Sequence, residues 1–420
     1  MTRGKVARNA ISLYGLHGAS YLLPLIAFPY LLSILGLDGF GLYGFILAVA
    51  RYGILITDWG FGFTATRAIS ERRVKGEEVG TIYGATTVAR LLLLVAAAVA
   101  LAVLTIAVEQ FRKDAGLYWI AFVGVAGSAM FPLWLFQAFH RLPLVIGVNV
   151  AARAVAVGLL FVLAKDAGDL NIVLWLWSAP WVVTAIAAMV LAKISLDVSF
   201  VMPGLRGAWA ALVDGRHVFV SNAAITLYTA GNAVVLGLIS TEAEVGLYVA
   251  AETIVIALVG LIGPLGQAVF PRSAEIATQG KEAAVRHAKR LLPVFGGVGV
   301  ALTVAGVLLA PVLGTLVFGD EFEESVRLLQ LMSLIPLSVA LGSVLGQQLM
   351  IPLKLDRRFS TVIVIAGVFN VCLAVALVPS LGAWGTAIAV TITEALIVVG
   401  LAVQLRLARV IGGGPTPTPA

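Results

Sequence analysis

Residues 91–108 read LLLLVAAAVALAVLTIAV, an unbroken run without a single charged side chain. The hydrocarbon core of a bilayer is about 30 Å thick, and an α-helix of roughly 20 apolar residues spans it. Apolar runs of this length recur along the whole chain, which is the pattern of helices surrounded by lipid. The sequence therefore predicts an all-α polytopic membrane protein.

Composition supports the same class. The 420 residues are 60% hydrophobic and 12% charged, with a mean hydropathy of +1.02. Soluble domains carry about twice that charged fraction, and no polar stretch is long enough to form a separate soluble domain. Cys372 is the only cysteine, so an intramolecular disulfide is excluded. The Gly/Pro/Thr-rich tail, residues 411–420, is predicted to be disordered.

The apolar runs predict about 12 transmembrane helices. The predicted spans are residues 11–34, 41–62, 82–107, 117–136, 143–163, 172–191, 218–240, 245–269, 291–313, 327–350, 360–378 and 385–404. The predicted outside loops are short. Of the two longest inside connections, about residues 192–217 and 270–290, the second is predicted to be a basic amphipathic helix on the membrane surface.

The basic residues predict the orientation of the chain. Of its 28 Lys and Arg residues, all but seven fall in the predicted inside segments. The exceptions are Arg112, Lys113, Lys165 and Arg327 outside, and Arg51, Arg90 and Arg153 within spans. Because cytoplasmic loops are enriched in Lys and Arg, we expect both termini in the cytoplasm. The net charge of +6 follows from this bias and requires no nucleic-acid partner.

A weak internal repeat relates the two halves. The tripeptide at residues 41–43, Gly-Leu-Tyr, recurs at residues 246–248, and Arg67 recurs as Arg272 in the same ungapped register. The offset covers six spans, an even number, so the halves would be parallel repeats. We therefore expect an N-terminal six-helix lobe at residues 1–205 and a C-terminal six-helix lobe at residues 206–410. Two such lobes facing a central cavity suit alternating access.

Eight short segments stand in a characteristic order. They are NAISLY (Asn9–Tyr14), LPLIAFPY (Leu23–Tyr30), LGLDGFG (Leu35–Gly41), DWGF (Asp58–Phe61), ATR (Ala65–Arg67), VGLY (Val245–Tyr248), FPR (Phe270–Arg272) and FGDEF (Phe318–Phe322). In this order they resemble bacterial O-antigen and exopolysaccharide flippases, the Wzx-type members of the polysaccharide transporter family. The ordered combination is more specific than any single segment.

The resemblance implies a MATE-like fold of the MOP superfamily, with two six-helix lobes in a V-shaped arrangement. It implies a secondary transporter of the bacterial inner membrane, with no enzymatic activity, that serves O-antigen (lipopolysaccharide) or exopolysaccharide biosynthesis. The implied substrate is an undecaprenyl-diphosphate-linked glycan, flipped from the cytoplasmic to the outer leaflet. Coupling to H⁺ or Na⁺ and contact with other polysaccharide assembly proteins stay open. The superfamily also contains lipid II flippases and multidrug exporters.

Three arginines are candidates for substrate binding. Arg51, Arg90 and Arg153 lie within predicted spans, where a charge costs at least ~3 kcal/mol unless it faces protein or water. A guanidinium group presents a fixed fork of donors to phosphate oxygens. We therefore expect at least two of them to line the transport cavity and bind a lipid diphosphate or acidic sugars. Asn149, on the same helical face as Arg153, would share its ligand. In the structural alternative, Asp58 neutralises Arg51.

Four further residues are candidates for ion coupling. Glu252 and Glu394 lie within predicted spans of the C-terminal half, and desolvation favours the protonated form of a carboxyl group. Asp58 and His17 are the corresponding candidates of the N-terminal half. The structural alternatives are a protonated glutamic acid bonded to a backbone carbonyl and a histidine bonded to a neighbouring helix.

Other functions fit less well. A multidrug exporter for organic cations would need an acidic or aromatic cavity, which the three arginines disfavour. A membrane polysaccharide polymerase or ligase would need catalytic groups on a large outside loop. The sequence contains no phosphate-binding loop of the Gly-x-x-x-x-Gly-Lys-Ser/Thr type, no cluster with metal-ligand spacing and no nucleophile elbow. We therefore expect no metal and no cofactor.

Overall fold

The computed structural model describes the backbone of residues 3–410 and the side chains of residues 23–410 except 221, 224, 228 and 320. This part of the chain is almost entirely helical. Its α-helices are α1 (Arg3–Asp58), α2 (Phe61–Val74), α3 (Gly80–Ala107), α4 (Glu109–Lys113), α5 (Ala115–Met130), α6 (Leu133–Ala138), α7 (Leu142–Leu163), α8 (Leu170–Leu196), α9 (Leu205–Thr229), α10 (Gly231–Ile239), α11 (Glu242–Gly260), α12 (Ile262–Ala277), α13 (Lys281–Leu313), α14 (Glu323–Met332), α15 (Ile335–Gly342) and α16 (Asp356–Leu407).

Among the described residues, nine helical stretches are long and apolar enough to cross a membrane, and the bent pair α9 and α10 makes a tenth. Two of the nine, Leu23–Val74 and Asp356–Leu407, are each 52 residues long. At about 1.5 Å per residue a straight helix of this length would measure about 78 Å, more than twice the thickness of the hydrocarbon core. Each is therefore long enough for two spans. Counted in this way, the ten stretches correspond to about 12 spans, the predicted number.

Two glycines break these long helices. Gly36 in α1 has φ 63° and ψ −174°, and Gly382 in α16 has φ 53° and ψ −129°. Glycine adopts positive φ without the steric penalty of a Cβ atom. Beside Gly382, the backbone N–H of Ala383 donates to Oε2 of Glu244 at 2.5 Å. This carboxylate therefore caps the second half of α16, whose first N–H groups lack helical partners.

Residues 26–234 form one compact unit. Its core contains large side chains that are almost fully buried, among them Phe61, Ile69 and Trp134. Helix α5 approaches α8 closely because glycines face it. A Cβ atom on Gly124 would lie 2.5 Å from the ring of Trp177, and one on Gly127 would lie 2.6 Å from the backbone nitrogen of Val182. Small residues of this kind let membrane helices pack backbone to backbone.

The second compact unit comprises residues 235 onwards together with the start of the chain up to Leu25. Here α13 packs against α14 and α15, and Gly299 allows the close approach, since its Cβ atom would lie 2.9 Å from Cα of Leu337. Helix α9 therefore groups with the first unit, and the part of α1 before Ile26 groups with the second. The six-helix lobes at residues 1–205 and 206–410 stay a prediction, since grouping by contacts does not test a repeat.

The predicted surface helix at residues 270–290 was wrong as a single element. Helix α12 continues to Ala277, and α13 begins at Lys281. Between them, Gly280 has φ 111°, a conformation that interrupts a helix and that glycine adopts readily. The basic residues of this segment therefore lie in the end of α12 and in the start of α13.

Candidate functional site

Arg90 of α3 is enclosed by carbonyl oxygens. Its side chain is almost fully buried, with 4% of its surface exposed. Nε donates to the carbonyl of Thr57 at 3.2 Å, Nη1 to that of Phe131 at 2.9 Å and Nη2 to that of Ser128 at 3.3 Å. Nη2 also lies 3.7 Å from Oδ1 of Asp58. These acceptors stand at the C-terminal ends of α1 and α5, where the helix dipole makes a positive charge favourable.

The structure corrects the expected pairing of Asp58. In the structural alternative considered from the sequence, this carboxylate neutralises Arg51, seven residues earlier on the same helix. It pairs instead with Arg90. The reason is the end of α1 at Asp58, where the chain turns through Trp59 (φ 48°) and Gly60 (φ 83°) into α2. Substrate binding by Arg90 and ion coupling by Asp58 stay predictions, and this geometry favours a structural role for both.

Arg153 occupies a different environment, near the middle of α7. Its Cζ atom lies 4.9 Å from the ring centroid of Trp181 on α8, within the range of a cation–π contact. The side chain is half-buried. Across the described side chains, no hydrogen bond or ion pair of Arg153 is present. An aromatic ring holds a cation without neutralising it, so the charge of Arg153 stays available to an anion.

Asn149, one turn before Arg153 on α7, also faces α8. Its Nδ2 donates to Oγ1 of Thr184 at 3.0 Å, and that hydroxyl donates to the carbonyl of Pro180 at 2.6 Å. Thr184 is fully buried. The structure therefore brings Asn149 and Arg153 onto the same helix pair, as their spacing predicts, and gives the amide of Asn149 a packing partner. A shared ligand stays a prediction.

Arg51, in the second half of α1, has an exposed side chain. Within the described part of the chain it makes no hydrogen bond and no ion pair. A charge at this depth is tolerated where it meets water, an anion or another polar group. Its predicted role in substrate binding is therefore neither supported nor opposed by a contact.

The candidates for ion coupling are not brought together by a described contact. Glu252 accepts a hydrogen bond at 2.9 Å from the hydroxyl of Tyr248, four residues earlier in the repeated Gly-Leu-Tyr motif. Glu394 is half-buried in α16 and makes no hydrogen bond or ion pair with the described residues. The side chain of His17 lies outside the described residues. Ion coupling by these groups stays a prediction.

An apolar cleft of about 100 Å³ lies between the second half of α1, α3 and α5. It is lined almost entirely by aliphatic and aromatic side chains, and Tyr52 and Tyr118 bring the only hydroxyl groups. None of the charged candidates whose side chains the structure describes lines it. This cleft therefore does not provide a binding site for a charged head group.

A polar network links α12, α13 and the π-helical segment Ser343–Met350. Oγ of Ser273 donates to Oε1 of Gln348 at 2.7 Å and lies 3.3 Å from Nε2 of His287. Nε2 of Gln348 donates to the carbonyl of Gly266 at 3.0 Å. Ser273 and Gln348 are buried, so these bonds satisfy polar atoms that would otherwise be costly. No sequence pattern indicates that Ser273, His287 and Gln348 lie together.

The family described as "Polysaccharide biosynthesis protein" matches residues 6–277, more than half of the chain. The chain belongs to this family. An Escherichia coli (strain K12) protein with the name "Putative O-antigen transporter" is 30% identical over 390 residues, which cover 93% of this chain and 94% of that protein. A Shigella dysenteriae protein of the same name is 30% identical over 398 residues, with 93% and 98% covered. These matches confirm the predicted family.

Solved structures of two transporters have the same fold as this member of the polysaccharide biosynthesis family. A multidrug resistance MATE family transporter of the MOP superfamily, in an inward-facing conformation, superposes with a TM-score of 0.75 at 16% identity, covering 93% of this chain and 95% of that chain. The lipid II flippase MurJ, in an inward closed conformation, has a TM-score of 0.72 at 10% identity, with 95% and 87% covered. The predicted all-α, MATE-like fold class is confirmed. The named relatives and neighbours are transporters and flippases.

Sequence reasoning missed the residues that surround the arginines. Trp181 lies in the middle of α8, away from the span ends where aromatic belts occur. That depth, and the preceding Pro180, were the available signals. The carbonyl oxygens around Arg90 leave no signal in a sequence, because every residue carries one.

Proposed function

We propose that this protein flips a polyprenyl-diphosphate-linked oligosaccharide from the cytoplasmic to the outer leaflet of the bacterial inner membrane. The transported glycan would serve O-antigen or exopolysaccharide biosynthesis. Transport would proceed by alternating access, with the head group passing through the protein while the lipid tail stays in the bilayer. Relatives with the name "Putative O-antigen transporter", matched along nearly the whole chain, support transport of a glycan of the O-antigen class.

One observation carries the proposal to the level of residues. Arg153 lies at the middle of a membrane-spanning helix, is held by Trp181, and has no acidic partner among the described residues. An uncompensated charge at that depth is costly and marks a substrate pathway more often than a packing contact. A guanidinium group with free donors suits the oxygens of a diphosphate.

The other two arginines would have different roles. Arg51 is exposed and would supply a second positive charge. Arg90 would hold the ends of α1 and α5 in position, because three carbonyl oxygens there already accept hydrogen bonds from its guanidinium group. Glu394 and Glu252 would serve ion coupling, if transport is coupled to H⁺ or Na⁺. Both termini would lie in the cytoplasm, as the distribution of basic residues predicts.

The test uses the native host with its own copy of this gene deleted. We expect loss of the surface polysaccharide and accumulation of the lipid-linked oligosaccharide in the inner leaflet. The wild-type chain should restore both, and Arg153→Ala should not, at equal membrane abundance. Arg153→Lys should restore them in part, because an ammonium group keeps the charge but loses the bidentate fork.

The same strains distinguish a multidrug exporter of this fold. An exporter would change resistance to organic cations and leave the surface polysaccharide intact in the deletion strain. That result would overturn the proposed flippase. Unchanged drug resistance together with lost polysaccharide would support it.

A further inference from the structure

The backbone that carries Trp181 packs closely against α5. The carbonyl carbon of Trp181 would lie 2.8 Å from a Cβ atom on Gly127, so the absence of that atom allows α8 to approach α5 at this point. One turn earlier, the hydroxyl of Ser178 donates to the carbonyl of Ile120 on α5 at 2.9 Å. The backbone that carries Trp181 is therefore fixed by a neighbouring helix as well as by its own.

The side of α8 that faces Arg153 is fixed in the same way. The bond from Asn149 to Thr184 joins α7 to α8 within one turn of both Arg153 and Trp181. Thr184 in turn bonds to the carbonyl of Pro180, which precedes Trp181. The guanidinium group and the ring thus stand on two helices that a hydrogen bond joins next to them.

We propose that Trp181 is a positioning residue that presents the guanidinium group of Arg153 to the phosphoryl oxygens of a lipid diphosphate. This inference rests on the proposed function and deepens it. A carboxylate in place of the ring would hold Arg153 equally well, but it would compete with the ligand for the same donors. An aromatic face attracts the cation while leaving its N–H groups unused.

The contrast with Arg90 supports this assignment. Both residues are arginines at membrane depth in the same compact unit. Arg90 has three hydrogen bonds to carbonyl oxygens and an ion pair with Asp58, and so has little capacity left for a ligand. A long side chain such as Arg loses considerable rotamer freedom when a ligand orders it. The ring of Trp181 restricts Arg153 before the ligand arrives, which strengthens binding.

The test measures binding of farnesyl diphosphate to the purified full-length protein in detergent. We expect Trp181→Leu to weaken binding about 5- to 30-fold, through the loss of a cation–π contact at a half-buried site. Trp181→Phe should retain much of the affinity, because its ring still faces the cation. Trp175→Leu is the matched control, since Trp175 is on the same helix with 49% of its surface exposed, and it should bind as the wild type does.

A double variant decides whether Trp181 acts through Arg153. With Arg153→Ala already present, Trp181→Leu should weaken binding no further. Equal weakening in both backgrounds would overturn the proposal, because the tryptophan would then act independently of the arginine. Thermal melting of each variant reports folding separately from binding.

The outcomes also separate this inference from the proposed function. Wild-type binding by Trp181→Leu, together with loss of binding by Arg153→Ala, overturns the positioning role alone. Wild-type binding by Arg153→Ala overturns the proposed binding site as well. Competition by inorganic diphosphate and not by glucuronate supports a phosphoryl ligand, and the reverse order would assign Arg153 to the acidic sugars instead.

Discussion

Replacing Arg90 by methionine removes a buried charge while keeping an unbranched side chain in the same space. In the wild type this guanidinium group joins the end of α1, at Thr57 and Asp58, to the end of α5, at Ser128 and Phe131. We expect Arg90→Met to loosen both helix ends and to lower the stability of the folded protein. Transport should fall with the amount of folded protein.

The size of the effect follows from the contacts. A hydrogen bond to a charged group contributes about 1.5–3 kcal/mol, but the three losses do not add in full. The carbonyls of Ser128 and Phe131 also accept backbone N–H groups, at 3.2 and 3.0 Å. The side chain of Asp58 is 41% exposed, so water replaces its partner. We therefore expect about 3–5 kcal/mol, close to the loss of two such hydrogen bonds in full.

Unfolding entropy converts this cost into a melting temperature. At about 2.1 cal/mol/K per residue, a chain of 420 residues has an unfolding entropy of about 0.9 kcal/mol/K. The expected fall in Tm is therefore roughly 3–6 °C. It is measured by heating the purified protein in detergent and quantifying the monodisperse fraction by size-exclusion chromatography.

The matched control is Arg153→Met, which removes a charge that holds no carbonyl oxygen. Its Tm should stay close to that of the wild type, while transport is lost at normal membrane abundance. The reasoning is refuted if Arg90→Met melts like the wild type and still abolishes transport, because Arg90 would then be a recognition group. It is also refuted if the two variants lose stability equally.

Three further predictions concern the second compact unit. Gly382→Ala should destabilise the protein by about 1–3 kcal/mol, because φ at Gly382 is 53°. The control Gly297→Ala should not, since a Cβ atom there meets nothing within 4 Å. Melting curves compare the two variants, and equal curves would count against backbone strain at Gly382. Ser273→Ala should cost about 1–3 kcal/mol, because it leaves the buried Oε1 of Gln348 without its donor; an unchanged Tm would show that another donor takes over. Burial, and then the nearby arginines of α12 and α13, lower the pKa of His287, in the predicted inside connection, below its ordinary value of 6.5. The unfolded chain therefore takes up a proton at this residue before the folded chain does, and stability should decline as pH falls below about 6.5; a His287→Asn variant should show a shallower decline, and an equally steep one would exclude this histidine as the cause.

The helices and their membrane location could be predicted from the sequence, because solvation by lipid acts on each segment separately. A run such as residues 91–108 must be helical in a bilayer, whatever its neighbours are. The breaks at Gly36 and Gly382 fall within the connections that separate predicted spans. The two helices α12 and α13 were harder to predict, since amphipathic character does not reveal whether a basic segment continues a span or lies on the surface.

The identity of the charged residues was equally evident from the sequence, and their environments were not. Arg90 and Arg153 look alike in sequence, as single arginines within apolar runs. Only the packing of α3 against the ends of α1 and α5 surrounds Arg90 with carbonyl oxygens. Only the packing of α7 against α8 brings Trp181 to Arg153.

The amino-acid sequence alone was enough to predict the all-α membrane class and the family, and to locate the candidate charges within apolar segments. These properties depend on the composition and spacing of single segments, because solvation by lipid and water acts on each segment separately. The tertiary structure decided which arginine is satisfied and which retains its donors. Hydrogen bonds and cation–π contacts depend on atoms within a few ångströms of each other, and residues as far apart as Arg90 and Phe131 reach that distance only when their helices pack.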